Sequence, residues 1–431
     1  MRIALISEHA SPLACLGGAD AGGQNVYVGQ LARHLASRGW VVDVFTRRDD
    51  ESQPLEQPWR SGARVIHVPA GPPRPVRKEA LLPYMDAFTD FVGRYARQRS
   101  GYDLAHANFF MSALAAVNLK RTLRLPFVVT FHALGKVRRL HQGEADGFPA
   151  ERIDIEERVT LEADLIIAEC PQDEADLVEH YGADQRKLRT VPCGFDPHEF
   201  APLPREEARR CLGLNPAERI ILQLGRMVPR KGVDNVIRGA ACLRRQHGIA
   251  TRLLIVGGES RDPDPVHTPE IGRLMQIAAA EGIADSVTFV GSRGRSELRA
   301  YYAAADVFVT TPWYEPFGIT PVEAMACGAP VVGAAVGGIK ATVKHGESGL
   351  LVPPKNPDAL AAALAQLFTN ESLRASLGRN AVTRANALYT WSKVADRVAE
   401  VYQEIVRKVK HRSHWASSAR SVAAARLAAD Y

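Results

Sequence analysis

Two glutamates, Glu315 and Glu323, stand eight positions apart around Pro316-Phe317-Gly318-Ile319-Thr320-Pro321. The first lies in a loop just past the apolar run Val307–Thr310. The second falls on a helix opened by Thr320-Pro321, proline being favoured in a first helical turn. A carboxylate there can accept two ribose hydroxyls, and the free N–H groups around Gly318, Ile319 and Thr320 can hold phosphate. Earlier in the chain the run Ile220–Leu224 leads into Gly225-Arg226-Met227-Val228-Pro229-Arg230-Lys231-Gly232. Arg226 and Lys231 therefore sit on a loop at a strand's carboxyl end, where two fixed cations can neutralise a leaving diphosphate as a metal ion does elsewhere. Loop cations alone are usually just solvated; the glutamate pair read together with them makes the signal stronger.

Histidine and glycine positions add to the set. His132 comes just after the run Phe127–Thr130, which puts it at a strand's carboxyl end and so at a cleft rather than in a core. His9, past Ile3–Ile6, fits site and core equally, and His106 reads as structural. Gly17-Gly18-Ala19-Asp20-Ala21-Gly22-Gly23-Gln24-Asn25 sits at a strand-to-helix turn, where backbone N–H groups can approach an anion. The same glycines would serve a loop that needs them only for its turns. Their spacing misses G-x-G-x-x-G, so nicotinamide binding is not expected.

These residues need a frame to hold them. The chain has 431 residues, 46% hydrophobic and 24% charged, which suits two or three globular domains and excludes disorder or a small disulfide scaffold. A formal charge of +6 leaves no compact basic stripe for nucleic acid. Six scattered cysteines without a C-x-x-C pair indicate neither zinc nor disulfides, which fits a reducing cytoplasm. No apolar run reaches membrane-spanning length, and the N-terminus lacks a signal-peptide core.

Short apolar runs alternate with amphipathic stretches: Ile3–Ile6, Val41–Thr46, Val65–Val68, Phe127–Thr130 and Leu165–Ala168, then Ile220–Leu224, Leu253–Val256, Val287–Val290, Val307–Thr310 and Val331–Gly333. That rhythm predicts α/β architecture with parallel sheets. Val191-Pro192-Cys193-Gly194-Phe195-Asp196-Pro197 interrupts it, which divides the chain into 1–195 and 196–388, two facing Rossmann-like halves with a ligand cleft between them. Residues 389–410 read as a final helix, with Val394, Val398, Val401, Tyr402 and Ile405 on one buried face. The basic tail 411–431 could touch anionic lipid, although a solvated, frayed end explains it better.

Glu315 to Glu323 matches the E-x7-E motif, and the chain resembles the retaining glycosyltransferases of the GT-B type, family 4. The resemblance runs from Gly22-Gly23 through Thr130-Phe131-His132-Ala133-Leu134-Gly135, Arg226 and Lys231 to Thr390-Trp391. Tyr314-Glu315-Pro316-Phe317-Gly318 and His132-Ala133-Leu134-Gly135-Lys136 look like sucrose-phosphate synthases. Gly18 to Tyr27 is also similar to the inositol-phosphate enzymes of mycothiol synthesis.

The resemblance implies a C-terminal helix crossing back to the first domain and transfer of a hexosyl unit from a nucleotide diphosphate sugar to a hydroxyl acceptor, with no metal or other cofactor. Glu323 would bind ribose. Glu315, Phe317, Gly318 and Ile319 would line the donor, and Arg226, Lys231 and the amide of Gly23 would hold its diphosphate. His132 would approach the anomeric carbon with its backbone carbonyl and a sugar hydroxyl with its ring. Gln24, Asn25, Lys78 and Lys136 would face the acceptor, and with Arg138 and Arg152 they would suit a sugar phosphate; a glycan or glycolipid is the alternative. Phe109 and Ala133 replace the tyrosine and threonine of the mycothiol pattern, which argues against inositol phosphate. Two rival classes use the same cleft: a nucleotide-sugar epimerase, which would need its own carboxylate pair for elimination, and an inactive nucleotide-sugar binder. Asp262-Pro263-Asp264 has the D-x-D form that holds metal in single-domain glycosyltransferases, but its proline-rich loop reads as a solvated turn.

Overall fold

A computed structural model describes residues 1–14, 22–59 and 62–429, without the side chains of 144 and 411–429. The first sheet is built from β1 (Arg2–Ile6), β2 (Val41–Arg47), β3 (Glu56–Pro58), β4 (Ala63–Val68), β5 (Leu104–Asn108), β6 (Phe127–Thr130), β7 (Leu165–Ala168) and β8 (Leu188–Thr190), ordered β3-β4-β2-β1-β5-β6-β7-β8. The second comprises β9 (Ile220–Leu224), β10 (Arg252–Val256), β11 (Val287–Gly291), β12 (Val307–Thr310), β13 (Val331–Ala334) and β14 (Gly349–Val352), ordered β11-β10-β9-β12-β13-β14. Pairing is parallel throughout except β3 with β4. Helices cover both faces, which is why most of these strands are nearly continuous apolar runs.

Four strands escaped the sequence reading, for legible reasons. β5 carries His106 and Asn108, polar groups satisfied inside the protein rather than by water. β3 ends in proline, β8 spans three residues at a sheet edge, and β14 opens with Gly349.

Each sheet reverses its winding direction once. In the first the reversal lies between β1 and β5, in the second between β9 and β12, and a crevice opens beyond the carboxyl ends of such a strand pair. The crevice of the first sheet therefore receives Glu8, His9, Asn108 and Phe109, and that of the second Arg226 and the loop 311–318.

Two crossings join the halves and pair with each other. Phe195 N donates to Tyr389 O at 2.8 Å, and Trp391 N donates to Phe195 O at 3.0 Å. A Cβ on Gly194 would lie 2.7 Å from Tyr389 O, so only glycine permits this approach. The final helix then returns to the first half, burying Trp391, Val394, Val398, Val401, Tyr402 and Ile405. Trp391 packs edge-on to Tyr27, and the Tyr402 hydroxyl meets His106 Nδ1 at 2.6 Å. His106 is structural, with burial driving its pKa down to about 3. One boundary needs correction: the helix does not end at residue 410 but runs from Trp391 to Ala429, through the segment read as a frayed tail. No helix among the described residues is long and apolar enough to cross a membrane.

Candidate active site

Two loops of the second sheet are drawn together by backbone contacts that exclude a side chain. Gly232, at φ +63°, lies against Thr311, whose carbonyl would sit 2.0 Å from an added Cβ. Trp313 N donates to Arg230 O at 2.9 Å. These contacts bring the Lys231 ammonium onto the Glu315 carboxylate. On the other side Gly337, at φ +42°, packs on Glu315 O, which accepts from Gly338 N at 2.9 Å.

Charge is concentrated there. Burial pushes the Lys231 ammonium down to about 8, against the pull of Glu315 and with added repulsion from Arg230 and Arg226. Burial pushes the Glu315 carboxyl up, but Lys231, Arg230 and Arg226 outweigh it and hold the group below its ordinary range. Arg226 reaches across the cleft: its side chain lies 3.8 Å from where a Cβ of Gly22 would stand, and Ile319 Cδ1 lies 3.4 Å from the same point on Gly23. The glycine turn of the first half thus faces the predicted phosphate loops of the second, while Gly17 to Ala21 lie outside the described residues.

Glu323 is 2% exposed on the helix Ile319–Ala326, which begins after Gly318 at φ +91°. Tyr302 donates to its Oε2 at 3.0 Å, and Arg295 Nη1 lies 2.9 Å from Oε1, off the hydrogen-bond direction. Oε1 is left without a hydrogen-bond partner, and burial raises the carboxyl's pKa despite Arg295 and Tyr302. Phe317 is buried against the ring of Tyr389.

In the first half His132 occupies a left-handed backbone position, φ +58°, just beyond β6. Its Nδ1 lies 3.0 Å from Glu169 Oε1 and its Nε2 3.0 Å from Asn108 Oδ1. Both ring nitrogens therefore have protein partners, whereas the sequence reading gave the ring to a sugar hydroxyl. His9 is paired as well, its Nδ1 2.6 Å from Oε1 of the buried Glu8.

The polar residues predicted for the acceptor divide. Gln24 Nε2 reaches Ser7 Oγ and Asn108 O, both at 3.2 Å, and so lies at the crevice of the first sheet. Lys78 stands on a short 3-10 turn, 4.0 Å from Glu79. Asn25 is engaged in capping its own helix: Oδ1 accepts from Gly22 N and Nδ2 donates to Ser11 O, both at 2.9 Å. Lys136 is engaged too, with 2.6 Å contacts to Glu157 and to His180 O and the Tyr181 ring beneath it. Arg138 pairs with Asp146. Arg152 is 1% exposed, pairs with Glu156, donates to Ala133 O and packs on the rings of Phe109, Phe110 and Phe148, yet its Nη1 has no partner.

Arg295, Tyr302, Asn108, Glu169 and Arg230 were not foreseen. Glu169 had a signal, since it follows β7 as His132 follows β6, and Arg230 shares the loop of Arg226 and Lys231; the others gave none. Asp264 closes an exposed turn by accepting from Val266 N and facing His267. Among the described residues no three His, Cys, Asp or Glu side chains cluster so as to hold a metal ion.

Two facing Rossmann-like halves, a returning C-terminal helix and a cleft with cationic loops define a glycosyltransferase of the GT-B type. The chain belongs to glycosyltransferase family 4: the model for Glycosyltransferase Family 4 matches residues 21–199, and that for Glycosyl transferases group 1 matches 204–384. It is similar to the D-inositol 3-phosphate glycosyltransferase of Acidothermus cellulolyticus, with 38% identity over 409 residues, 94% of this chain and 90% of the relative. The enzyme of that name from Corynebacterium diphtheriae is 35% identical, covering 93% and 94%. Among solved structures, sucrose-phosphate synthase from Thermosynechococcus elongatus superposes with a TM-score of 0.87 at 35% identity, covering 94% of this chain and 99% of that one. Anabaena HepE in complex with UDP-glucose shares the fold, with a TM-score of 0.72 at 21% identity and coverage of 94% and 100%.

Proposed function

We propose that the enzyme transfers a hexosyl unit from a nucleotide diphosphate sugar to a hydroxyl of a phosphorylated sugar or polyol, with retention at the anomeric carbon. The observation that carries this reading is the cationic cluster at the cleft: Arg226 against Gly22, and Lys231 and Arg230 around Glu315. As the glycosidic bond to the diphosphate breaks, negative charge grows on the leaving oxygen, and fixed cations in a closed cleft stabilise it without reorganisation. The acceptor hydroxyl attacks the same face and gives its proton to the departing phosphate. The charge is supplied by side chains, so no metal is required. Glu323, buried between Tyr302 and Arg295, is suited to accept from ribose with the lone pairs they leave.

A phosphorylated acceptor is supported by the names of the relatives and by Lys78 and the unpartnered Nη1 of Arg152 beside Ala133 and Phe109. Gln24 would hold an acceptor hydroxyl, while Asn25 and Lys136 shape the site from behind. Incubation with UDP-glucose, UDP-N-acetylglucosamine, GDP-mannose or ADP-glucose, each with inositol phosphates and hexose phosphates, tests this by mass spectrometry. A phosphorylated glycoside is the expected product. Transfer only to unphosphorylated sugars or glycans would overturn the acceptor assignment.

A further inference from the structure

The two halves touch at a point none of the donor or acceptor assignments uses. The helix Gly135–Gln142 begins three residues after His132 and ends against the second half. There Gln142 Nε2 donates to the Tyr314 hydroxyl at 2.7 Å. The imidazole of His141 stacks on the same phenol ring, with centroids 5.0 Å apart and planes 17° from parallel. Burial and the nearby Lys355 lower the His141 pKa, with Asp176 opposing them. Arg230 also lies over this ring, its Cζ 5.2 Å from the centroid. Tyr314 is 6% exposed although it lies on a loop between domains.

Tyr314 precedes Glu315, and Arg230 precedes Lys231. One ring is thus held by the end of the helix that follows His132 and also touches both loops of the diphosphate clamp. A second contact across the cleft, Lys340 Nζ to Gln172 Oε1 at 3.0 Å, is exposed and involves no residue of the clamp.

The geometry points to Tyr314 as a closure latch and positioning residue: when Gln142 and His141 seize its ring, the Glu315–Lys231 pair that the second half has already assembled is held in place opposite His132. The inference rests on reading Glu315 and Lys231 as the donor clamp. Closure and alignment of the clamp become one event, so the assembled cations face the acceptor half in register only once that half has docked and water is excluded.

Tyr314→Phe keeps the ring and removes the hydroxyl, Gln142→Leu removes the donor, and His141→Ala deletes the stack from an exposed position. In Tyr314→Phe and Gln142→Leu, kcat for transfer should fall about tenfold, equivalent to one lost hydrogen bond, while affinity for free UDP stays within about twofold. The Tyr314→Phe/Gln142→Leu double variant should be no slower than either single one, because both remove the same bond. Donor hydrolysis should rise relative to transfer, and small-angle X-ray scattering of the substrate-free chain should show a larger radius of gyration in all three single variants. Additive losses, a fall in UDP affinity equal to the fall in kcat, or an unchanged radius would overturn the latch. Scattering needs no substrate, so a wild type that releases no nucleoside diphosphate from the four donors would count against the donor reading alone, with the latch still judged by the radius.

Discussion

His132 Nδ1 lies 3.0 Å from Oε1 of Glu169, a buried carboxylate that also accepts from the Cys193 thiol at 2.9 Å. Cys193 belongs to the crossing between the halves, so the linker and the candidate catalytic histidine share one carboxylate. Asn108 closes the other side: its amide nitrogen faces Ile6 O and His106 O, each at 3.3 Å, which turns Oδ1 toward the ring. Glu169→Gln preserves shape and removes charge. It should lower kcat about tenfold and leave nucleotide affinity intact, the signature of a group acting on the transition state. Steady-state kinetics beside calorimetry with UDP checks this; equal losses in both would make Glu169 merely structural.

Arg226→Ala or Lys231→Ala should cost about 3 kcal/mol in the barrier, roughly a hundredfold in kcat, with little change in folding. Chelation should leave activity unchanged. The Lys231 pKa near 8 adds a pH dependence. The ammonium is charged below that value and neutral above it, so nucleotide affinity should weaken as pH rises through about 8. Lys231→Met should remove this alkaline limb. A limb that survives in the variant belongs to another group.

Glu323 and Glu315 should separate in their kinetics. Glu323→Gln is expected to weaken nucleoside diphosphate binding, because an amide replaces the carboxylate that would accept from ribose. Glu315→Gln leaves Lys231 facing a neutral amide and should depress turnover more than affinity. Titration calorimetry on both variants distinguishes them, and intact affinity in Glu323→Gln would move the ribose contact elsewhere.

Asp173 makes stability depend on pH. Burial and the neighbouring Glu169 raise its pKa to about 8. The unfolded chain releases this proton near pH 4, so between about pH 4 and about pH 8 the folded state carries the extra proton and stability falls as pH rises. Asp173→Asn keeps an oxygen for the Glu169 N–H and removes the titration. Its melting temperature should exceed the wild type's at pH 8, with the gap narrowing toward pH 4. Parallel pH curves would contradict this.

The sequence by itself determined the class and the loops that carry Arg226, Lys231 and Glu315. Apolar runs buried on both faces, E-x7-E, and cations just past strand ends are local patterns, and local spacing fixes which residues share a loop or a helix. It also determined the final helix, whose apolar face recurs at spacings of three and four. What supports the candidate catalytic groups was decided only by the tertiary structure. Tyr402 meets His106 across 296 positions, and Gln142 meets Tyr314 across 172. No periodicity links such pairs, because the contact exists only once two sheets and a crossing helix have packed. For the same reason Asn25 and Lys136, legible as polar groups near a cleft, were already engaged by a helix cap and by a carboxylate with a backbone carbonyl. A side chain's type follows from the sequence, but whether its charge is free for a substrate depends on neighbours that only the folded chain supplies.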